Sequence, residues 1–202
     1  MTSLPPILAV DGGRLAGVLS LLFEPSDILL STLVPALAKT LASDKRFTSY
    51  TDLIDAAIAE VASWDVSLRA QFIEGHPRIG ETKDLSALSA TEQGATSTVA
   101  PTPPQVLTRL AHLNACYERR YAGLRYITFV NGRSRAAIAL EMEDVLGIPH
   151  SLSPDLPVVE TIEPIEPSQE ELNSELNRAV FDVGRIAKSR LTTTKIESEN
   201  RD

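Results

Sequence analysis

The sequence predicts an all-α fold, a single helical domain of 202 residues with one long Pro-rich loop. Two observations support this prediction. Aromatic residues make up only 5% of the chain, which is low for a sheet protein. The apolar residues recur every three or four positions far more often than they alternate. The length is that of one ordinary globular domain.

Two helices are predicted in the first third of the chain. Ser26 and Asp27 can cap the first, and its apolar face contains Leu29, Leu30, Leu33, Val34, Leu37, Ala38 and Leu41. The second is predicted as one long helix, capped by Ser49 or Thr51 and running toward Gly75. Its apolar stripe contains Leu53, Ile54, Ala57, Ile58, Val61, Trp64 and Leu68.

Three more helices are predicted after residue 100. The first begins near Pro104, and its apolar face contains Val106, Leu107, Leu110, Leu113, Cys116 and Tyr117. Ser134 caps a short helix that ends near Gly147. Ser168 opens the last helix, with Glu171 three residues on as a capping box. The polar tail at 192–202 is expected to fray.

The Pro-rich segment, residues 147–167, interrupts the helical pattern with five prolines and several acidic residues. It is unusually long for a loop inside a compact domain. We therefore expect either a mobile lid or a disordered insertion. Since its composition buries little apolar surface, we also expect it to be dispensable for folding.

Charge and composition exclude several classes of protein. The chain has 19 basic and 27 acidic residues and a net charge of −8, which argues against nucleic acid or an anionic membrane as a partner. No apolar run approaches the roughly 20 residues that cross a bilayer, and residues 1–13 lack the basic start of a secretory signal. A soluble intracellular protein is expected.

Disulfide and metal chemistry are also disfavoured. Cys116 is the only cysteine, so neither an internal disulfide nor a Cys-based zinc site is available. The three histidines, His76, His112 and His150, are scattered along the chain and make a poor metal set. We expect no metal site.

His76 is the best general acid or base candidate, because imidazole titrates near neutral pH. Pro77 follows it and disfavours helical geometry at His76, so the ring is expected at a helix exit. The alternative role is a cap on the last carbonyls of that helix. His112 and His150 are expected to be structural or solvated.

Two further stretches combine polar and backbone groups that could bind a substrate. Ser89 and Glu92 have the S-x-x-E spacing of a capping box, although a helix N-terminus can also bind a carboxylate. The apolar run 126–130 is expected to be extended, either as a buried connector or with its backbone lining a pocket. Arg133, Arg185 and Arg190 are possible carboxylate partners.

Six motifs follow one another along the chain. They are Phe23-Glu24 with Ser26, His76-Pro77-Arg78-Ile79-Gly80, Ser89 with Glu92-Gln93, Leu113-Asn114 with Tyr117 and Arg120, Ile127–Val130 before Gly132-Arg133-Ser134, and Ile186-Ala187 with Arg190-Leu191. In this order they resemble the 2-oxo-4-hydroxy-4-carboxy-5-ureidoimidazoline (OHCU) decarboxylase family of the uric acid pathway. The resemblance covers about residues 23–191.

The resemblance implies an all-α homodimer that needs no cofactor and converts the small molecule OHCU to (S)-allantoin and CO₂. It implies His76 and Glu92 as catalytic residues. It implies substrate contacts from Pro77, Ser89, Gln93, Ile127, Thr128, Phe129, Val130, Asn131 and Arg190, with Arg185 a weaker match than Arg190. One extra residue between Tyr117 and Tyr126 leaves the register of the 127–131 contacts open by one position.

Two other functions remain open from the sequence. One is a non-catalytic helical interaction module, in which His76 and Ser89 only cap helices. The other is an enzyme of the same scaffold that acts on a different ureido acid. The chain ends in Asn200-Arg201-Asp202 instead of a peroxisomal tripeptide, so the cytoplasm is the expected compartment.

Overall fold

The computed structural model describes residues 12–43, 47–81, 86, 88–89, 102–166 and 170–193. Within these ranges the regular structure is helical, which confirms the predicted all-α class. The helices are α1 (Gly12–Phe23), α2 (Val34–Ser43), α3 (Tyr50–Ser63), α4 (Val66–Glu74), α5 (Pro104–Arg120), α6 (Arg135–Leu146) and α7 (Glu170–Thr193), with a π-helical turn at Leu29–Leu33 and a 3₁₀ turn at Val159–Thr161. No helix in the described ranges is both long and apolar enough to cross a membrane.

Residue contacts divide the chain into two compact units, 1–75 with 176–202 and 76–175. We refer to them as unit 1 and unit 2. The boundary falls between Gly75 and His76 and again within α7. The single-domain organisation remains a prediction from the sequence.

Unit 1 is built from α1 to α4 and most of α7. Helix α1 packs on α2, α2 on α3 and α3 on α4. The sequence analysis did not predict α1, although Leu15, Leu19 and Leu22 recur at helical spacing and are fully buried or nearly so. In α7, Gly184 lies so close to Ile58 of α3 that an added Cβ would be 3.0 Å from its Cγ1.

The helix ends in unit 1 agree only in part with the prediction from the sequence. Ser49 caps α3 as predicted, and Asp52 completes a capping box with it. The prediction of one helix from there toward Gly75 is wrong. Trp64 is extended, and the Asp65 carboxylate accepts a hydrogen bond from the Leu68 N–H at 2.9 Å, so α4 starts anew. Apolar spacing runs through this break because Trp64 and Leu68 keep the helical period.

Helix α5 packs on α6 in unit 2. Both begin where the sequence predicts, and the Ser134 hydroxyl accepts a hydrogen bond from the Ala137 N–H at the start of α6. Gly147, with φ +65°, ends α6 in the left-handed conformation that glycine adopts without strain. The predicted cap at Ser168 and the tail from residue 194 lie outside the described residues.

The Pro-rich segment is a long loop, as predicted, but it is bound to α5 and α6. The guanidinium of Arg109 in α5 donates to the carbonyls of Ser153 (2.9 Å) and Leu156 (2.5 Å). The same guanidinium pairs with Glu143 of α6 at 2.7 Å, and both side chains are fully buried. Glu143 in turn accepts from the Ser151 N–H at 3.1 Å. This arrangement differs from the expected mobile lid or disordered insertion.

Candidate functional site

His76 begins a short loop, residues 76–81, that we call the His76 loop. His76 is only 4% exposed. Its carbonyl accepts a hydrogen bond from Arg125 Nη1 at 2.8 Å, and the carbonyl of Ile79 accepts one from Asn114 Nδ2 of α5 at 2.9 Å. The loop backbone is therefore bound at both ends by side chains of unit 2.

Arg78 adds an ion pair to the same loop. Its guanidinium donates to both carboxylate oxygens of Glu118 in α5, at 2.5 and 2.9 Å. Hydrogen bonding to Glu118 is the main reason that the pKa of Arg78 is raised above its ordinary value. Since both side chains are about one third exposed, the pair contributes more to orientation than to stability.

Gly80 is needed for the close approach of this loop to α5. Its φ is +85°, and a Cβ there would lie 3.1 Å from both Cβ and Cδ1 of Leu110. Any L residue would be strained at this φ and crowded against the helix. The sequence HPRIG thus combines a histidine with the proline, arginine and glycine that determine the path of its loop.

The second candidate stretch, 127–131, follows the buried Tyr126. Ile127 and Thr128 are each 5% exposed, Phe129 and Val130 are partly exposed, and Asn131 is exposed. The stretch is not helical and ends in a turn where the Arg133 N–H donates to the Val130 carbonyl at 2.9 Å. The prediction of an irregular, extended run is confirmed, and Arg125 links its start to the His76 loop.

Ser89 is buried and helical, 3% exposed. Its N–H donates to the Ser86 hydroxyl at 3.1 Å, so Ser86 makes the cap contact, and the prediction that Ser89 caps this helix in a box with Glu92 is wrong. Glu92 and Gln93 lie outside the described residues. Pro77, in the His76 loop, is partly exposed.

Arg190 lies in unit 1, where it is 2% exposed. Its Nη2 donates to Glu24 at 2.7 Å, and its Nη1 lies 3.2 Å from the carbonyls of Leu21 and Leu22 at the end of α1. A cation at a helix C-terminus is electrostatically favourable. Arg185 is half-exposed and pairs with Asp182 of its own helix. These contacts give Arg190 a structural role in unit 1, and substrate binding by it remains a prediction.

A family model described as OHCU decarboxylase matches residues 9–150, well over half of the chain. The chain belongs to the OHCU decarboxylase family. The match confirms the resemblance seen in the motifs, and it includes His76, Ser89, Glu92, Gln93 and 127–131 but not Arg190. No curated protein matches the chain.

The other two histidines have the roles that the sequence predicts: His112 is structural and His150 is solvated. His112 Nε2 donates to the Pro157 carbonyl at 2.9 Å, which binds the Pro-rich segment to α5. His150 is half-exposed and pairs with Asp144. The described residues contain no group of three His, Cys, Asp or Glu side chains arranged to hold a metal ion.

Two buried charges of this OHCU decarboxylase family member, Arg109 and Glu143, were not predicted from the sequence. Arg109 lies on the apolar face of α5, between Val106 and Leu110, and that position is a signal that could have been used. Glu143 of α6 has no comparable signal, because acidic residues stand on both sides of it and of Met142 in the second half of the helix. The same holds for Glu141, which is partly exposed.

Proposed function

We propose that this protein decarboxylates OHCU to (S)-allantoin and CO₂ without a cofactor. The observation that carries the proposal is the family match over residues 9–150, a range that contains both proposed catalytic residues, His76 and Glu92. Family membership supports a decarboxylase role, and the choice of OHCU as substrate is our proposal.

The substrate itself supplies the electron sink for this reaction. The bond between C4 of the ring and the carboxylate carbon breaks, and the electron pair moves toward the adjacent ring C=N as CO₂ leaves. Thiamine, pyridoxal phosphate or a metal is therefore not needed to hold the electrons. The enzyme has to move protons. One leaves the C4 hydroxyl as C4 becomes a carbonyl, one is added to the ring nitrogen of the former C=N, and one is delivered to the neighbouring carbon from a single face, so that one proton is taken up in all.

His76 and Glu92 are the proposed proton carriers. His76 suits the role because it is buried in a loop whose backbone is bound by Arg125 and Asn114. A catalytic group held in one geometry loses little entropy when the substrate reacts. Delivery of the proton from one fixed position would give the (S) product. The division of the two proton transfers between His76 and Glu92 is left open.

The proposed substrate contacts are those of the family motifs. Pro77 lies beside His76, and Ser89 and Gln93 flank Glu92 in sequence. Ile127 to Asn131 would bind the ring through backbone groups, and Arg190 of the last motif is a further proposed substrate contact. We also propose a homodimer, which is the assembly that the family resemblance implies.

The test is production of optically active allantoin. OHCU is generated in place from urate with urate oxidase and hydroxyisourate hydrolase, and this protein is then added. We expect a rapid circular dichroism signal of (S)-allantoin, with CO₂ release, above the slow spontaneous reaction that gives racemic product. Addition of the protein without any acceleration or optical activity would contradict the proposal and favour a non-catalytic helical module.

A further inference from the structure

One carboxylate, that of Glu141 in α6, accepts hydrogen bonds from three side chains of the neighbouring extended stretch. Tyr126 donates its hydroxyl to Oε1 at 2.5 Å, and Thr128 donates its hydroxyl to the same oxygen at 2.8 Å. Arg133 forms an ion pair with the other oxygen, Oε2. We call Tyr126, Thr128, Arg133 and Glu141 the Glu141 cluster.

Arg133 extends the cluster to the backbone. Its Nη2 donates to Thr128 Oγ1 at 2.8 Å and to the Phe129 carbonyl at 2.6 Å, and its Nε donates to the Val130 carbonyl at 3.1 Å. One guanidinium thus binds three consecutive residues of the stretch. Because a guanidinium is planar and rigid, these contacts fix the relative orientation of the two carbonyls.

The backbone of residues 126–132 is irregular, and its conformation depends on contacts with neighbouring side chains. It follows a turn at 121–123 that ends α5, has no regular secondary structure, and then turns through two residues of positive φ, Asn131 (φ +47°) and Gly132 (φ +75°). Such conformations persist where the surrounding contacts determine them. Tyr126 is 1% and Thr128 5% exposed, whereas the Glu141 side chain that accepts from both hydroxyls is 31% exposed.

We propose that Glu141 is a positioning residue that, through Tyr126, Thr128 and Arg133, sets the backbone of residues 127–131 for contact with the substrate. The proposal rests on the proposed function, since that function gives the stretch its substrate contacts. Glu141 itself touches neither substrate nor reacting atoms. Its effect is on binding geometry, whereas the proton transfers belong to His76 and Glu92.

The test compares Glu141→Ala and Glu141→Gln with Asp144→Asn. Asp144 is on the same helix, and its side chain is 70% exposed with His150 as its partner, so its loss leaves the Glu141 cluster intact. The first measurement is amide hydrogen exchange of residues 126–133, which requires no substrate. We expect faster exchange in Glu141→Ala, an intermediate effect in Glu141→Gln because the amide oxygen still accepts from the hydroxyls, and no change in Asp144→Asn.

The second measurement separates binding from chemistry in folded protein with OHCU as substrate. Loss of contacts made equally in the ground and transition states raises KM and leaves kcat nearly unchanged. For Glu141→Ala we expect KM to rise on the order of tenfold and kcat to change less than about threefold. The KM of Glu141→Gln should lie between that of the wild type and that of Glu141→Ala.

The two measurements also separate the failure of this inference from that of the proposed function. Unchanged exchange in Glu141→Ala, or unchanged KM in the folded variant, would overturn the positioning role. If the wild-type protein does not decarboxylate OHCU, the proposed function fails. The exchange measurement then decides by itself whether Glu141 fixes the stretch.

Discussion

His76 is the residue on which the proposed chemistry depends most directly. It is buried, and its loop is held by hydrogen bonds from Arg125 and Asn114 to backbone carbonyls, which do not involve the imidazole ring. His76→Gln should therefore leave the helical circular dichroism unchanged and lower kcat on the order of 10²-fold, the usual effect of losing a positioned acid or base. His150→Gln is the control, because His150 is half-exposed. Near wild-type turnover of His76→Gln would contradict the catalytic assignment.

Glu92→Gln separates a catalytic role of this carboxylate from a structural one. The substitution keeps the size of the side chain and removes its charge, so a purely catalytic role predicts little change in the melting temperature. If the carboxylate moves a proton, kcat should fall on the order of 10²-fold in the same variant. A modest and parallel decline of melting temperature and activity would instead identify a structural role. The two measurements are thermal unfolding and the allantoin assay.

At the scale of elements, the Pro-rich segment is joined to α5 and α6 by a buried ion pair. Arg109 and Glu143 pair with each other and also bind backbone groups of Ser151, Ser153 and Leu156. Farther along, the Ile165 N–H donates to the Arg120 carbonyl at 2.8 Å, and Ile165 is buried. The segment is thus part of the packing of unit 2, and the expectation that folding can dispense with it no longer follows.

Glu143→Gln tests the role of this ion pair. The substitution leaves the Arg109 charge buried without its counter-ion, which costs about 3 kcal/mol or more in comparable buried pairs. We expect a clear fall in the free energy of unfolding, measured by urea denaturation. Asp144→Asn, at the next and exposed position, should change it little. Equal stability of the two variants would show that the pair does not hold the segment.

The capping box of α3 gives a pH dependence whose sign follows from its contacts. The Thr48 N–H, then the side chains of Ser49 and Thr48, hold the pKa of Asp52 below its ordinary value of 3.8. A carboxyl group with a lowered folded pKa stabilises the protein above pH 3.8 and loses this contribution as pH falls through the folded value. Asp52→Asn should lower the melting temperature at pH 7. The gap to wild type should close below pH 3.8, and a gap of constant size would contradict this account.

At the scale of the whole molecule, the expected homodimer is open to a direct measurement. Phe181 of α7 is 64% exposed, which is unusual for a large aromatic side chain and leaves apolar surface uncovered on unit 1. We expect light scattering at micromolar concentration to give twice the chain mass of 21.9 kDa. A mass of one chain over the whole concentration range would exclude the dimer.

Most helix starts could be predicted from the sequence, because caps and apolar spacing are local. Ser49 and Ser134 cap the helices that were assigned to them, and Pro104 opens α5. The break at Trp64 was missed because the apolar period continues across it. Helix α1 was missed because Gly12, Gly13 and Gly17 in its first half lower the helix propensity of the segment.

The candidate site could be predicted in part. His76 with its proline and glycine, and the extended run after Tyr126, are visible as local motifs. The partners that fix them, Asn114, Glu118 and Glu141, lie 13 to 40 residues away along the chain. No spacing rule connects such residues.

By itself the sequence determined the helical class and the family, because periodicity, caps and motifs are properties of neighbouring positions. His76 and Glu92 as catalytic residues stay a prediction of the family resemblance. Only the tertiary structure decided what each charged side chain meets. Arg190 binds Glu24, Arg109 binds Glu143, and the Pro-rich segment packs on α5 because buried charges and backbone groups must find partners wherever the fold brings them. The energy of those pairings depends on distances through space, which the order of residues does not specify.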